Sequence, residues 1–118
     1  MDYKHISIND MNSGKSINRV ELQGRVGTVR ISPVGRTLAA SFSLMTEHLQ
    51  RTSEGKVIVE ACWHNVAAMQ DEVGSLDGLT RGTLVHLEGR LRNSRYTAAD
   101  GTERVFTETV AESLEVLE

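Results

Sequence analysis

The segment 83-TLVHLEGRLR-92 alternates without interruption: Val85, Leu87, Gly89 and Leu91 lie in one phase, His86, Glu88, Arg90 and Arg92 in the other. A period of two marks a strand with one face in a core and the other in water. The same period stands in 17-INRVELQGRV-26, where Val20, Leu22, Gly24 and Val26 alternate with Arg19, Glu21, Gln23 and Arg25. Gly24, in the apolar phase, reads as a bulge or a point of close backbone approach.

Working outward, 38-LAASFSLMT-46 and 57-VIVEACWHNV-66 read as two more strands. Pro and Gly in 32-SPVGR-36 sit at turn spacing, and the polar run 47-EHLQRTSEGK-56 reads as a hairpin-like loop. The stretch 67-AAMQDEVGSLDGL-79 implies a short helix or an irregular connection. Asp100-Gly101 is a hairpin-turn signal, so 104-RVFTETVAESLEVL-117 returns as the last strand, in one or two pieces. Five strands and one short connecting helix predict an all-β fold. A five-stranded Greek-key barrel, the OB-fold, fits both size and strand count. That domain is expected over residues 17–118, preceded by a flexible polar lead over residues 1–16.

Composition narrows the class of partner. At 118 residues the chain is one domain, long enough for a core without disulfides, and its single cysteine cannot form an internal one. No apolar run approaches the ~18 residues of a membrane span, and MDYKHISIND lacks a leader pattern. The expectation is a cytoplasmic protein without membrane contact. The net charge is −3, but it is unevenly spread. Between Lys15 and Arg104 there are 12 Lys/Arg against 10 Asp/Glu, while four acids crowd residues 108–118. A locally basic face is compatible with that distribution.

The candidate constellations differ in weight. Gly14-Lys15-Ser16 resembles the end of a phosphate loop, but Asn9 stands where the first glycine is needed and no apolar strand precedes it. Cys62, His64 and His86 could be zinc ligands, yet no second cysteine completes a structural set, so no metal is expected. A Cys62–His64 nucleophile pair lacks an orienting third group, and no enzyme signature is found. Arg90, Arg92 and Tyr96 share one phase of their strand. Cations flanking an exposed ring suit single-stranded nucleic acid, the cations meeting phosphates and the ring stacking on a base. The plainer reading is a solvated face with a tyrosine at a hairpin tip.

The only tryptophan stands in 60-EACWHNVAAM-69. Trp63 is in phase with Val57, Val59 and Ala61, which makes a core position the first expectation. The opposite phase holds Ile58, Cys62, His64 and Val66 but also Glu60, so both faces are mixed and periodicity leaves the side of Trp63 open.

Several segments in order resemble the bacterial single-stranded-DNA-binding protein family. They are 18-NRVELQGRVG-27, 29-VRISPVGR-36 before 40-ASFSLMT-46, then 63-WHNV-66, then 82-GTLVHLEGRLRNSRY-96 and 100-DGTERVFTETV-110. They are similar to the family's N-(K/R)-V-x-L-x-G-x-x-G start, its P-x-G turn, its W-H-x-V and its G-x-x-V-x-(I/V)-E-G-x-L-R segment. Each motif is loose; the ordered set is specific and covers residues 17–117.

The resemblance implies an OB-fold that assembles as a homo-oligomer, tetramer or dimer, and binds single-stranded DNA without sequence preference in replication, recombination or repair, without catalysis or cofactor. It implies stacking by Trp63 and Tyr96, with Met69 where a stacking Phe is common, and it places His64 at a subunit interface. Arg92 matches a basic position, whereas Asn65, Asp71 and Ser94 fall where some members carry Lys or Arg. A further tryptophan expected near His48 to Gln50 has no counterpart. Arg90 joins Arg92 as a phosphate contact, and Arg36, Arg51 and Lys56 are added from their loop positions. With two of roughly four rings missing, at about 1–3 kcal/mol of stacking each, binding weaker than typical of the family is expected. The alternative implied by the same ancestry is an adaptor resembling the primosomal replication protein, working mainly through protein contacts. Replication proteins are further possible partners, but the chain ends at 111-AESLEVLE-118 without the family's acidic recruitment tip.

Overall fold

Alternation in the chain translates into five long strands, which a computed structural model describes over residues 15–118. They are β1 (Val20–Val34), β2 (Thr37–Arg51), β3 (Val57–Met69), β4 (Leu84–Thr97) and β5 (Glu103–Val116), with one helix, α1 (Gln70–Val73). Residues 1–14, and with them Gly14 of the phosphate-loop reading and most of the expected lead-in, lie outside the described residues. The strands close into a barrel in the order β1-β2-β3-β5-β4, with β4 returning to β1. All pairings are antiparallel except β3 with β5, which run parallel and pair only Val66 with Thr109 and Ala67 with Val110. This is the Greek-key OB barrel.

One phase of each strand fills the barrel. Val26, Phe42, Leu44, Val66, Val85 and Leu87 are buried, and Leu44 and Leu87 are wholly inaccessible. Leu76 and Leu79, from the connection after α1, are also buried in this core. The barrel can coil this tightly because two positions lack a side chain. A Cβ on Gly89 would stand 2.0 Å from the Val110 carbonyl oxygen, and one on Gly24 would stand 2.0 Å from that of Met45. Gly24 is thus the expected close approach; the bulge of β1 comes later, between Val26 and Val29. Asn18 anchors the approach to β1, its side chain donating to the Leu91 carbonyl at 2.8 Å and accepting from the Leu91 amide at 2.8 Å.

The strands outrun their expected limits. Residues Glu47–Arg51, read as loop, belong to β2 and pair with Ala61–Val57 of β3, so the turn shrinks to residues 52–56. This hairpin projects past the barrel, where both faces meet solvent. A strand there needs no alternation, and Leu49, Val57, Ile58 and Val59 are all exposed. Ala67–Met69, assigned to the connection, extend β3, leaving a helix of four residues. β5 is a single strand with a register shift opposite Glu88 and Gly89.

The β4–β5 turn is pinned at its tip. Asp100 accepts from the Thr102 hydroxyl at 2.6 Å and the Thr102 amide at 3.0 Å, which holds its carboxyl below the usual range. Because the folded value is lowered, this contribution is present at neutral pH and fades as pH falls through the acid range.

The packing has a measurable consequence. Leu87→Ala is expected to lower unfolding free energy by about 2–5 kcal/mol, and Gly89→Ala, which must push β4 off β5, by about 1–3 kcal/mol. Chemical denaturation followed by far-UV circular dichroism measures both.

Candidate nucleic-acid interface

Along β3 the outward phase is Ala61, Trp63, Asn65, Ala67 and Met69, while Val66 and Ala68 point into the barrel. Across the ladder, Met45, Ser43 and Ser41 of β2 stand opposite Trp63, Asn65 and Ala67. Trp63 therefore lies outside the core, contrary to the first expectation from parity. Its in-phase neighbours Val57 and Val59 belong to the projecting hairpin, where no core exists for them to face. Trp63 is 60% exposed.

The ring is seated on a glycine. A Cβ on Gly27 would come within 2.7 Å of Trp63 Cζ3 and 2.4 Å of Ser43 Oγ. Gly27 lies within the β1 bulge, where the Thr28 amide donates to Ser43 Oγ at 2.9 Å. The bulge and the missing side chain let the indole lie against β1 with its other side open. Arg81, from the segment before β4, joins Gly27, Thr28, Ser43 and Trp63 in lining one depression.

Asn65 carries the surface onward. It shares a depression with Thr28, Arg30, Ser41 and Ser43, and a second one with Tyr96, Phe106 and Glu108. Arg30 stands opposite Ser41 in register and is exposed. Among the described residues, neither Arg30 nor Arg81 has an acidic partner within ion-pair distance. A third depression continues from Arg30 and Ser41 through Ala67 and Met69 to Arg92 and Glu108. A fourth links Trp63 and Asn65 to Leu91, Thr107 and Glu108. Together these form one shallow track from Trp63 to Tyr96 and Met69.

The β4–β5 hairpin supplies the far wall. Alternation and register put Arg92, Ser94 and Tyr96 on one face with Glu108, Phe106 and Arg104. Tyr96 and Phe106 meet edge to face, ring centres 5.8 Å apart, and Tyr96 remains 53% exposed. Beneath them Glu108 is buried, and its Oε1 accepts from Arg92 Nε at 3.1 Å and Ser94 Oγ at 2.6 Å, with a second Arg92 nitrogen also bonded. A buried carboxylate needs such donors, so much of Arg92 is committed to holding the hairpin. One guanidinium nitrogen, Nη1, is left for other partners.

The other residues singled out in the sequence are placed as follows. Arg90 pairs with Glu112 at 3.5 Å and lines none of these depressions. Arg36 lies in the β1–β2 turn, and Arg51 and Lys56 flank the β2–β3 turn, all exposed and away from the track. His64 bonds Thr46 Oγ1 through Nε2 at 2.8 Å. Cys62 is exposed, and among the described residues it does not converge with His64 and His86. The terminal acids run along β5 and beyond, Glu112 toward Arg90 and Glu118 toward Arg25 at 2.8 Å, rather than over Trp63.

Sequence reasoning missed Arg30, Arg81, Phe106 and Glu108. Phe106 and Glu108 were within reach: counting back from the Asp100-Gly101 turn puts them opposite Ser94 and Arg92. Arg30 needed the register of β1 on β2, which the bulge disguises. Arg81 sits in an irregular segment that carries no periodic signal.

The model of the single-strand binding protein family matches residues 17–117. The single-stranded DNA-binding protein of Neisseria meningitidis serogroup A is 34% identical over 107 residues, covering 86% of this chain and 60% of that protein. That of Xylella fastidiosa is 30% identical over 108 residues, covering 87% and 65%. The chain thus spans about three-fifths of the length of these curated relatives. Among solved structures, a Plasmodium falciparum SSB in complex with ssDNA superposes with a TM-score of 0.75 at 26% identity, over 88% of this chain and 97% of that one. A single-stranded DNA binding protein from Thermus aquaticus, at 24% identity and a TM-score of 0.69, shares the fold. On the match over residues 17–117, the chain belongs to the single-strand binding protein family.

Proposed function

We propose that this protein binds single-stranded DNA with little sequence preference, stacking bases on exposed rings and meeting phosphates with arginines, and that it does so without catalysis. The observation that carries this reading is the indole of Trp63, seated on Gly27 with one side open and Arg81 beside it. An aromatic ring in that state suits any base, because every base has a π-face. Family membership and the DNA named with the Plasmodium structure support the same ligand. They favour it over the adaptor reading, which no feature of the track supports separately.

In this proposal Trp63 and Tyr96 stack, Phe106 braces Tyr96, and Met69 offers a thioether to a passing base. Arg30 and Arg81 take the leading phosphate contacts. Arg92 contributes its unengaged nitrogen. Arg36, Arg51 and Lys56 meet phosphates only of DNA long enough to run over the hairpin ends, and Arg90 only after leaving Glu112. Weaker binding than is usual for the family follows from the short supply of rings. Assembly into a homo-oligomer belongs to the same proposal, with His64 near the contact. Light scattering coupled to size-exclusion chromatography would show a monomer if that part is wrong.

Because Trp63 is the only tryptophan, its emission reports directly on the track. Oligo-dT is expected to quench it, and Trp63→Ala to weaken binding by about 1–3 kcal/mol in an anisotropy titration. Unchanged emission in a protein shown to bind would remove Trp63 from the interface. Gly27→Val should lift the indole off β1, weakening binding while the far-UV spectrum is retained. The salt dependence offers a further check. Replacing Arg30 and Arg81 together by Ala should reduce the slope of log K against log salt by about 1.4, at about 0.7 per phosphate contact on a single strand. An unchanged slope would place the phosphates elsewhere.

A further inference from the structure

Midway along the track from Trp63 to Tyr96, a carboxylate stands where a polyanion would pass. Glu108 borders three of the depressions that make up the track, and only 10% of its side chain is exposed. Its Oε1 accepts two bonds from Arg92 and one from Ser94. The ion pair offsets the charge of the acid, so a phosphate backbone is not turned away. The other oxygen, Oε2, accepts from no donor among the described residues. None of those residues seals a side-chain oxygen or nitrogen from solvent without a partner, so Oε2 is reached from outside, through the depressions that Glu108 borders. Asn65 stands beside it. Val66 and Thr109 pair across the seam, and the residues just before them, Asn65 and Glu108, share two depressions. Asn65 is exposed, and among the described residues its side-chain amide makes no hydrogen bond.

We propose that Glu108 Oε2 and the Asn65 amide form a base-reading pair, which favours a base with an exocyclic amino group over thymine at one position of the bound strand. This rests on the DNA-binding reading and refines it. A base stacked on Tyr96 enters the depression whose other walls include Phe106, Asn65 and Glu108, so its polar edge meets these two side chains. An ionised carboxylate oxygen can only accept. Cytosine and adenine donate from their amino groups, and in each the neighbouring ring nitrogen accepts from the Asn65 amide. Thymine carries O4 in place of the amino group, which sets acceptor against acceptor and leaves Oε2 without a bond. The three bonds at Oε1 hold the carboxylate in one orientation, as discrimination between bases requires. Stacking and backbone flexibility still govern most of the order among homopolymers; the pair adds a bias at a single seat. A Glu108 that served only to hold the hairpin would need its Oε1 bonds alone and would leave base choice untouched.

Anisotropy titrations with oligo-dC and oligo-dT of equal length, at a mildly alkaline pH that keeps oligo-dC unstructured, test the proposal. In a homopolymer, whichever nucleotide reaches the seat carries the same base, so the register of the strand does not matter. Glu108→Gln keeps an oxygen for Arg92 and Ser94 but turns Oε2 into a donor. It is expected to lower the ratio of the dC to the dT association constant about tenfold, by weakening dC and strengthening dT. The contribution of stacking cancels when the ratio in the variant is compared with that in the unaltered protein. Asn65→Ala, on an exposed position that leaves the Glu108 bonds intact, should lower the same ratio by a smaller factor, and it decides the matter if Glu108→Gln does not fold. A ratio unchanged by the folded variants removes the base readout while leaving DNA binding in place. Failure of the unaltered protein to bind either oligonucleotide overturns the DNA-binding reading, and the base readout with it.

Discussion

A parallel contact two residues long, Val66 with Thr109 and Ala67 with Val110, closes this barrel. Every other seam is a longer antiparallel ladder. The candidate interface straddles that short seam. Asn65 precedes its first residue on β3, Glu108 precedes its first residue on β5, and both line the depressions that join Trp63 to Tyr96. Without closure at this point the tryptophan strand and the tyrosine hairpin would be separate surfaces. The arrangement at Glu108 follows from the same constraint. An acid brought this close to the seam loses its water, and Arg92 with Ser94 replaces it.

The barrel was legible because its inner phase is so regular. Val85, Leu87 and Gly89, or Val20, Leu22 and Gly24, can be read only as the inner side of a strand. The limits of the strands were not legible where the chain leaves the core. In the β2–β3 hairpin, Glu47 to Arg51 are polar and Val57 to Val59 apolar, but both are equally wet, so composition there reports nothing about backbone pairing. That same projection misled the parity of Trp63, since its apolar partners in sequence have no core to share. Order and spacing of motifs across the whole chain carried more information about Trp63 than its own strand did.

The arginines teach a related lesson about charge. Counting them along the sequence favoured Arg90 and Arg92, the visible pair on an alternating strand. The returning strand answers each with an acid, Glu108 directly opposite Arg92 in register and Glu112 at 3.5 Å from Arg90. Of the cations without such answers among the described residues, the two that line the candidate track, Arg30 and Arg81, sit where alternation is interrupted, one beyond a bulge and one in an irregular segment. Pairing across a sheet is nonlocal. A single strand read by itself therefore overstates how much charge is offered to a ligand.

The two-residue seam also bears on how the chain reaches its fold. β1, β2 and β3 follow one another through short turns, and β4 and β5 form a hairpin of their own. These two modules are rich in local contacts, whose loop-closure cost is low. Joining them requires β4 to find β1 across the whole intervening sequence, and only then can β3 meet β5. Pairings of such separation are slow to form, which predicts the docking of the two hairpin systems as the last event in folding. The candidate track is continuous only after that step, and a chain arrested before it would keep most of its strand content with Trp63 on one module and Tyr96 on the other.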